Sequence, residues 1–131
     1  KGKSIHDVWS NGAEAYLGIM TTGFPNLFMM YGPNTNLGHS SIVIMIESQT
    51  KYIIQCIQSV KAKGIKYMDV KKDVQDVYNT LIQKRLADKA WNTVSKSWYK
   101  DGTKITNNWP GRTTEYSGQI KKLNLDSYNL V

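Results

Sequence analysis

Between Ile42 and Val60 apolar side chains recur at helical spacing and spread around most of the helix circumference. Ile42, Met45, Ile46, Tyr52, Ile53, Cys56, Ile57 and Val60 form the main stripe, with Gln49 as its one polar interruption. Val43, Ile44 and Ile54 widen that stripe well past a single face. A helix this apolar is expected to be sandwiched in a core, not laid on a surface. Ser40 or Ser41 serves as its N-cap, and Gly64 is the residue type that commonly follows a helix C-terminus.

The segment before the helix sets the fold class. Asn26-Leu27-Phe28-Met29-Met30-Tyr31 is a nearly continuous apolar run closed by Gly32-Pro33, which reads as a strand buried on both faces of a parallel sheet. A polar loop, residues 34–39, then leads into the helix. Strand, loop and long helix make one unit of an α/β nucleotide-binding sheet. Upstream, Ala15 to Ile19 reads as a short strand among turn residues.

Downstream, a short strand is expected near Ile65–Met68, then a cap at Asp69. A second amphipathic helix would carry Val70, Val74, Val77, Tyr78, Leu81 and Leu86. The rest is an irregular aromatic tail with Trp91, Trp98, Tyr99, Trp109, Tyr116 and Tyr128, a turn at Asp101-Gly102, and a short helix from Arg112. The chain divides into 1–64, the sheet-and-helix unit, and 65–131, the second helix with its tail.

With 131 residues there is room for one compact unit. The chain opens on Lys1-Gly2-Lys3-Ser4 without Met, so the expectation is a piece of a longer protein. Its longest unbroken apolar run, Ile42 to Ile46, is far short of the roughly 20 residues that cross a bilayer. One cysteine, Cys56, cannot form an internal disulfide and reads as packed core, which fits the cytoplasm. The 17 basic and 10 acidic residues leave a net charge of +7. That bias, with the Trp and Tyr residues of the tail, keeps open an alternative: a small nucleic-acid-binding or protein-interaction module. The charges are interspersed, however, and a solvated helical surface accounts for them.

Catalytic constellations are sparse. His6 and His39 lie in separate segments without Cys, Asp or Glu at metal-ligand spacing, so no metal site is expected. No phosphate loop, nucleophile elbow or G-x-G-x-x-G fingerprint can be read. What remains is a strand end at Gly32-Pro33 beside a long helix start. Ligands of open α/β sheets sit beyond such strand ends. The unpaired amides of a helix start favour an electron-rich ligand atom, which in a flavin is the pyrimidine carbonyl beside N1.

Ala15-Tyr16-Leu17-Gly18-Ile19, then Gly23-Phe24-Pro25-Asn26-Leu27-Phe28 and Gly32-Pro33-Asn34, then a helix with Ile46-Glu47 and Gln49, follow in order. Asp7-Val8-Trp9 precedes them; Ser97-Trp98-Tyr99 and Asn108-Trp109-Pro110-Gly111-Arg112-Thr113 with Glu115-Tyr116 come after. This series resembles the C-terminal part of Baeyer–Villiger-type and related flavin-containing monooxygenases along essentially the whole chain. The resemblance implies an α/β fold, the closing portion of a Rossmann-like flavoprotein with separate FAD and NADP domains. In that family NADPH reduces the flavin, which reacts with oxygen and holds a peroxide at C4a that oxygenates a ketone or a heteroatom.

Carried onto this sequence, Gly32, Pro33 and Asn34 would turn the chain beneath the FAD. Gly38, His39, Ser40, Ser41 and Ile42 would bring the helix start to the flavin's pyrimidine edge, although His39 also reads as an ordinary loop residue. Trp98 would contact NADP from a mobile loop, where this chain has Lys100-Asp101-Gly102 in place of the family's usual Gly-Ala-Asn. Trp109, Pro110 and Tyr116 read as scaffold, and Glu47 as a surface acid or one bonded to a neighbour. The glycine fingerprints would lie in N-terminal FAD and NADP domains. Those domains are the implied partners, and the chain alone is expected to be inactive, to bind FAD poorly and to self-associate.

Overall fold

The computed structural model describes residues 2–38, 40–88, 100–101 and 104–131. Among the described residues, helices α1 (Ile5–Val8), α2 (Ile42–Ala62), α3 (Lys72–Ala87) and α4 (Thr113–Gln119) are accompanied by four short strands. The strands are β1 (Met68–Val70), β2 (Lys100–Asp101), β3 (Lys104–Ile105) and β4 (Tyr128–Leu130). β1 pairs antiparallel with β4, and β2 with β3. The turn expected at Asp101-Gly102 cannot be placed on these strands alone, because Gly102 lies outside the described residues.

α2 begins and ends as its sequence predicts. The Ser41 hydroxyl accepts from the Val43 amide at 3.3 Å, and Gly64 takes φ +62° after the last turn. Its surroundings differ from expectation. Met45, Gln49, Tyr52 and Cys56 are buried, while Val43, Ile44, Ile54 and Ile57 are 45–56% exposed. One face therefore packs on this chain's core, and the opposite apolar face has no cover among the described residues.

The expected strand over Asn26–Tyr31 does not form. Asn26 and Tyr31 both take left-handed backbone angles, φ 59° and 56°, so the segment is bent at each end and cannot run straight. Its bonds go to scattered partners: Asn26 N to Met68 O at 3.0 Å and Met29 N to Ile19 O at 2.7 Å. Leu27, Met30 and Tyr31 are about two-fifths exposed, so the segment is not buried on both faces either. Among the described residues the parallel pairing reduces to one bridge, Asn36 with Asn108.

Ala15–Ile19 is also a turn, not a strand. Leu17 and Gly18 both take positive φ, and the Ile19 amide reaches the Tyr16 carbonyl at 3.0 Å, which makes a tight reversal of the I′ kind. β1 starts three residues later than the strand expected near Ile65, because Lys66 and Tyr67 bond to the terminal Val131 carbonyl before the ladder begins. Asp69 belongs to β1 and accepts from the Gly23 amide, leaving Lys71 at the N-cap position of α3.

α3 buries Gln75, Tyr78, Asn79, Ile82 and Leu86, whereas Val77 and Leu81 face outward. Its inner face is turned toward two amides because they hold loops. Gln75 Oε1 accepts from Thr22 N at 2.8 Å, and Asn79 Nδ2 donates to Ala15 O at 3.1 Å. A buried amide so paired costs little, while an unpaired one is penalised heavily.

The core sits where α2, α3, α4 and β4 converge on the 15–20 turn. Tyr52 and Tyr128 share a 2.5 Å hydroxyl contact inside it, and Trp109 meets Tyr116 edge to face at 5.2 Å. Such an aromatic pair adds about 1 kcal/mol beyond its area burial. Trp109, Pro110 and Tyr116 are all buried, and Glu47 is exposed.

Candidate functional site

The turn at residues 32–34 is shaped by two glycines packed back to back. A Cβ on Gly32 would collide with the Gly18 carbonyl oxygen, and one on Gly18 with the Thr35 side chain. The turn is then pinned from the far end of the chain. Asn34, at φ 58°, sends its side-chain amide to the carbonyls of Ile105 and Asn108 at 2.7 and 3.1 Å. Its own amide reaches Thr106 O at 3.0 Å, and Trp109 N reaches Asn36 O at 2.9 Å. An Asn tolerates the left-handed region better than other side-chain-bearing residues, and here its side-chain donors are engaged.

This scaffold presents the start of α2 to solvent. Gly38, Ser40 and Ser41 are exposed, the Ile42 amide has no acceptor among the described residues, and the first turn carries no acidic residue. The positive end of the helix dipole is therefore not neutralised by its own sequence. The second and third turns are tied inward. Gln49 Oε1 accepts from the Tyr31 amide at 2.9 Å, and Ser48 Oγ meets Ser117 Oγ at 2.8 Å. These contacts bring the end of the 26–31 segment, α2 and α4 to one place.

Between α2 and α4 lies a groove of about 600 Å³ lined by Ser40, Ile44, Arg112, Thr113, Thr114 and Ser117. The Thr113 Oγ1 is buried without a hydrogen-bond partner among the described residues. Arg112 presents an exposed side chain, while its carbonyl accepts from Trp109 Nε1 at 3.1 Å. Below it, Arg85 forms a two-pronged pair with Glu115, at 2.6 and 3.0 Å, and stacks 5.6 Å from the centre of the Trp109 ring. The Arg85 guanidinium holds the Glu115 carboxyl below its usual range.

Of the residues singled out from sequence, Gly32, Pro33 and Asn34 form the turn, and Gly38, Ser40, Ser41 and Ile42 gather at the helix start it supports. Asn34 differs from the others in being buried, with its side-chain donors engaged by protein carbonyls. His39 and Trp98 lie outside the described residues. Sequence reasoning missed Ile44, Arg112, Thr113, Thr114 and Ser117 as groove residues. Nothing in local periodicity signals that a seven-residue helix some 70 positions downstream lands beside Ser40. Gln49 was legible only as an anomaly in an apolar stripe.

Among the described residues no group of three or more His, Cys, Asp or Glu could hold a metal, and no helix is long and apolar enough to cross a membrane.

No family model matches the chain. It is 39% identical over 133 residues to a Baeyer-Villiger monooxygenase of Pseudomonas aeruginosa, covering 99% of this chain and 25% of that protein. A Baeyer-Villiger monooxygenase of Streptomyces coelicolor is 33% identical over 133 residues, covering 99% and 26%. The FAD-binding monooxygenase ktnD of Aspergillus niger is 38% identical over 128 residues, covering 93% and 21%. The chain thus spans about a quarter of the length of the curated relatives it matches.

In fold it is similar to the OTEMO complex with FAD and NADP, with TM-score 0.84 and 21% identity over 100% of this chain and 26% of that one. It is similar also to an oxidized steroid monooxygenase bound to NADP, with TM-score 0.84 and 20% identity over 98% and 25%. The α/β class is that of the C-terminal part of these enzymes. By sequence along nearly its whole length, the chain matches the C-terminal part of Baeyer–Villiger-type monooxygenases, over about a quarter of their length.

Proposed function

We propose that this chain completes the flavin site of an FAD- and NADPH-dependent monooxygenase that transfers one oxygen atom from O₂ to a ketone or heteroatom substrate. The observation that carries the reading is the solvent-facing start of α2, where the Ile42 amide has no acceptor among the described residues and the first turn holds no acid. The residues fit the group: exposed Gly38, Ser40 and Ser41 leave the backbone approachable, and the dipole end favours the electron-rich pyrimidine edge of a flavin. When bound, FAD reduced by NADPH supplies the oxygen-activating chemistry. The chain's own part is to hold the helix start in place through the 32–34 turn and the 105–109 strap.

The exposed apolar side of α2, with Val43, Ile54 and Ile57, supports a partner assignment as well. Such a face is suited to packing against the FAD and NADP domains that supply the phosphate-gripping glycines absent from these residues. On this reading the chain is inactive by itself, 1–64 closes the FAD domain, 65–131 braces it, and the assembly works in the cytoplasm.

The test replaces the matching segment of the Pseudomonas aeruginosa relative with this chain. The hybrid is expected to retain FAD and to couple NADPH oxidation to ketone oxygenation, while the isolated chain forms no tight, spectrally shifted FAD complex. A folded hybrid that purifies without flavin, or an isolated chain that binds FAD tightly, sinks the proposal.

A further inference from the structure

We infer that the groove between α2 and α4 takes the carboxylate of an acid-bearing ketone, with Arg112 as its anchor. The inference rests on the flavoenzyme reading and adds to it a substrate class. Three observations converge on this groove. Its lining combines the aliphatic Ile44 with the hydroxyl-bearing residues Ser40, Thr113, Thr114 and Ser117. Among the described residues Arg112 is the one cation lining it, and none of them gives that guanidinium an ion pair. Thr113, only 8% exposed, lines the same groove, and its enclosed Oγ1 has no hydrogen-bond partner among the described residues.

Each feature narrows the ligand. A buried hydroxyl without a partner is costly unless something polar enters beside it. The nearest carboxylate to Arg112 along the helix, Glu115, is already engaged by Arg85, so it does not neutralise the anchor. A guanidinium fork matches a planar carboxylate with two parallel hydrogen bonds. One cation on largely apolar walls suits a monoanion with a hydrocarbon body better than a dianionic phosphate. The groove opens beside Ser40, so a substrate anchored at Arg112 would extend its other end toward the helix start proposed to face the flavin.

The test uses the flavin-loaded holoenzyme that carries this segment, with levulinate and its methyl ester as matched probes. The ratio of kcat/KM for acid over ester is expected to be on the order of tenfold or more, the scale of one charge-assisted pair. Arg112→Gln should collapse that ratio toward one, and Arg112→Lys should keep part of it. A ratio near one in the parent, or one unchanged in Arg112→Gln, overturns the inference. So does a raised KM for NADPH in Arg112→Gln with the acid-to-ester ratio intact, which would assign the groove to a cofactor phosphate.

If the protein turns out not to oxidise NADPH at all, the flavoenzyme reading fails separately. Calorimetric titration with levulinate then decides: saturable binding lost in Arg112→Gln supports the groove, and no binding rejects it.

Discussion

The Nε2 of Gln49 donates to the Tyr116 hydroxyl at 2.9 Å, and that hydroxyl donates in turn to the Leu17 carbonyl at 2.5 Å. Through the other end of its amide, Gln49 accepts from the Tyr31 backbone. One fully buried side chain on α2 thus joins α4, the 15–20 turn and the 26–31 segment. Glutamine is accepted in an apolar stripe because both of its polar ends are matched.

Replacing Gln49 by Leu should cost about 2–4 kcal/mol, since the Tyr31 amide loses its acceptor and the Tyr116 hydroxyl loses a donor. Tyr116→Phe should cost less, and the double variant less than the sum of the two. Urea denaturation of the four proteins measures the coupling. Additive losses would show that the three groups do not act as one network.

At position 34 the backbone and the side chain can be separated. Asn34→Gly keeps the left-handed angle and removes both amide bonds, whereas Asn34→Ala also adds strain of about 1 kcal/mol. The alanine variant should therefore be the less stable of the two. Both should speed hydrogen exchange at the Trp109 amide, which the Asn36 carbonyl holds at 2.9 Å. Equal stability of the two variants would remove backbone strain from the explanation.

Two carboxylates should pull acid stability in opposite directions. Glu115 is held below its ordinary 4.5 by Arg85, so its contribution is present above that value and is lost as pH falls through the folded pKa. Asp69 is raised above its ordinary 3.8 by burial, partly offset by the Gly23 amide bond. Its neutral form is the favoured one, so its contribution is present below 3.8 and lost as pH rises through the folded pKa. Glu115→Gln should flatten stability loss below about pH 4.5 by less than about 1 kcal/mol, because the pair is nearly half exposed. Asp69→Asn should raise stability relative to the parent at neutral pH more than at pH 3. Thermal melts across pH 2.5–7 (about that range, around the ordinary carboxylate values) check both signs.

Cys56 is fully buried, and burial pushes its thiol up to about 12. It should resist iodoacetamide at pH 8 (roughly the pKa of a free thiol) in the folded chain and react once urea unfolds it. Rapid labelling of the native protein would contradict the packing around α2.

The bare face of α2 predicts self-association of the isolated chain. Ile54→Glu with Ile57→Glu should shift it toward monomer in sedimentation velocity while retaining its helical circular dichroism. In the assembled flavoprotein the same pair should destabilise, because the charges would enter a buried interface. A parent chain that is monomeric at high concentration would argue against an interface there.

Local signals carried the long helix, its Ser41 cap, the Gly64 stop and the second helix, since spacing and capping act within a few residues. The family resemblance rested on ordered short motifs, and the relatives match along nearly the whole chain. Tertiary contacts decided the rest. Asn26–Tyr31 looks like a buried strand by hydrophobicity, yet left-handed angles at its two ends and bonds to Ile19 and Met68 bend it into a loop. Which face of α2 is buried, which of α3's residues turn inward, and the meeting of Arg112 with Ser40 depend on neighbours far away in sequence. Side-chain periodicity reports that an element has apolar faces; only the packing of distant segments determines which of them is covered.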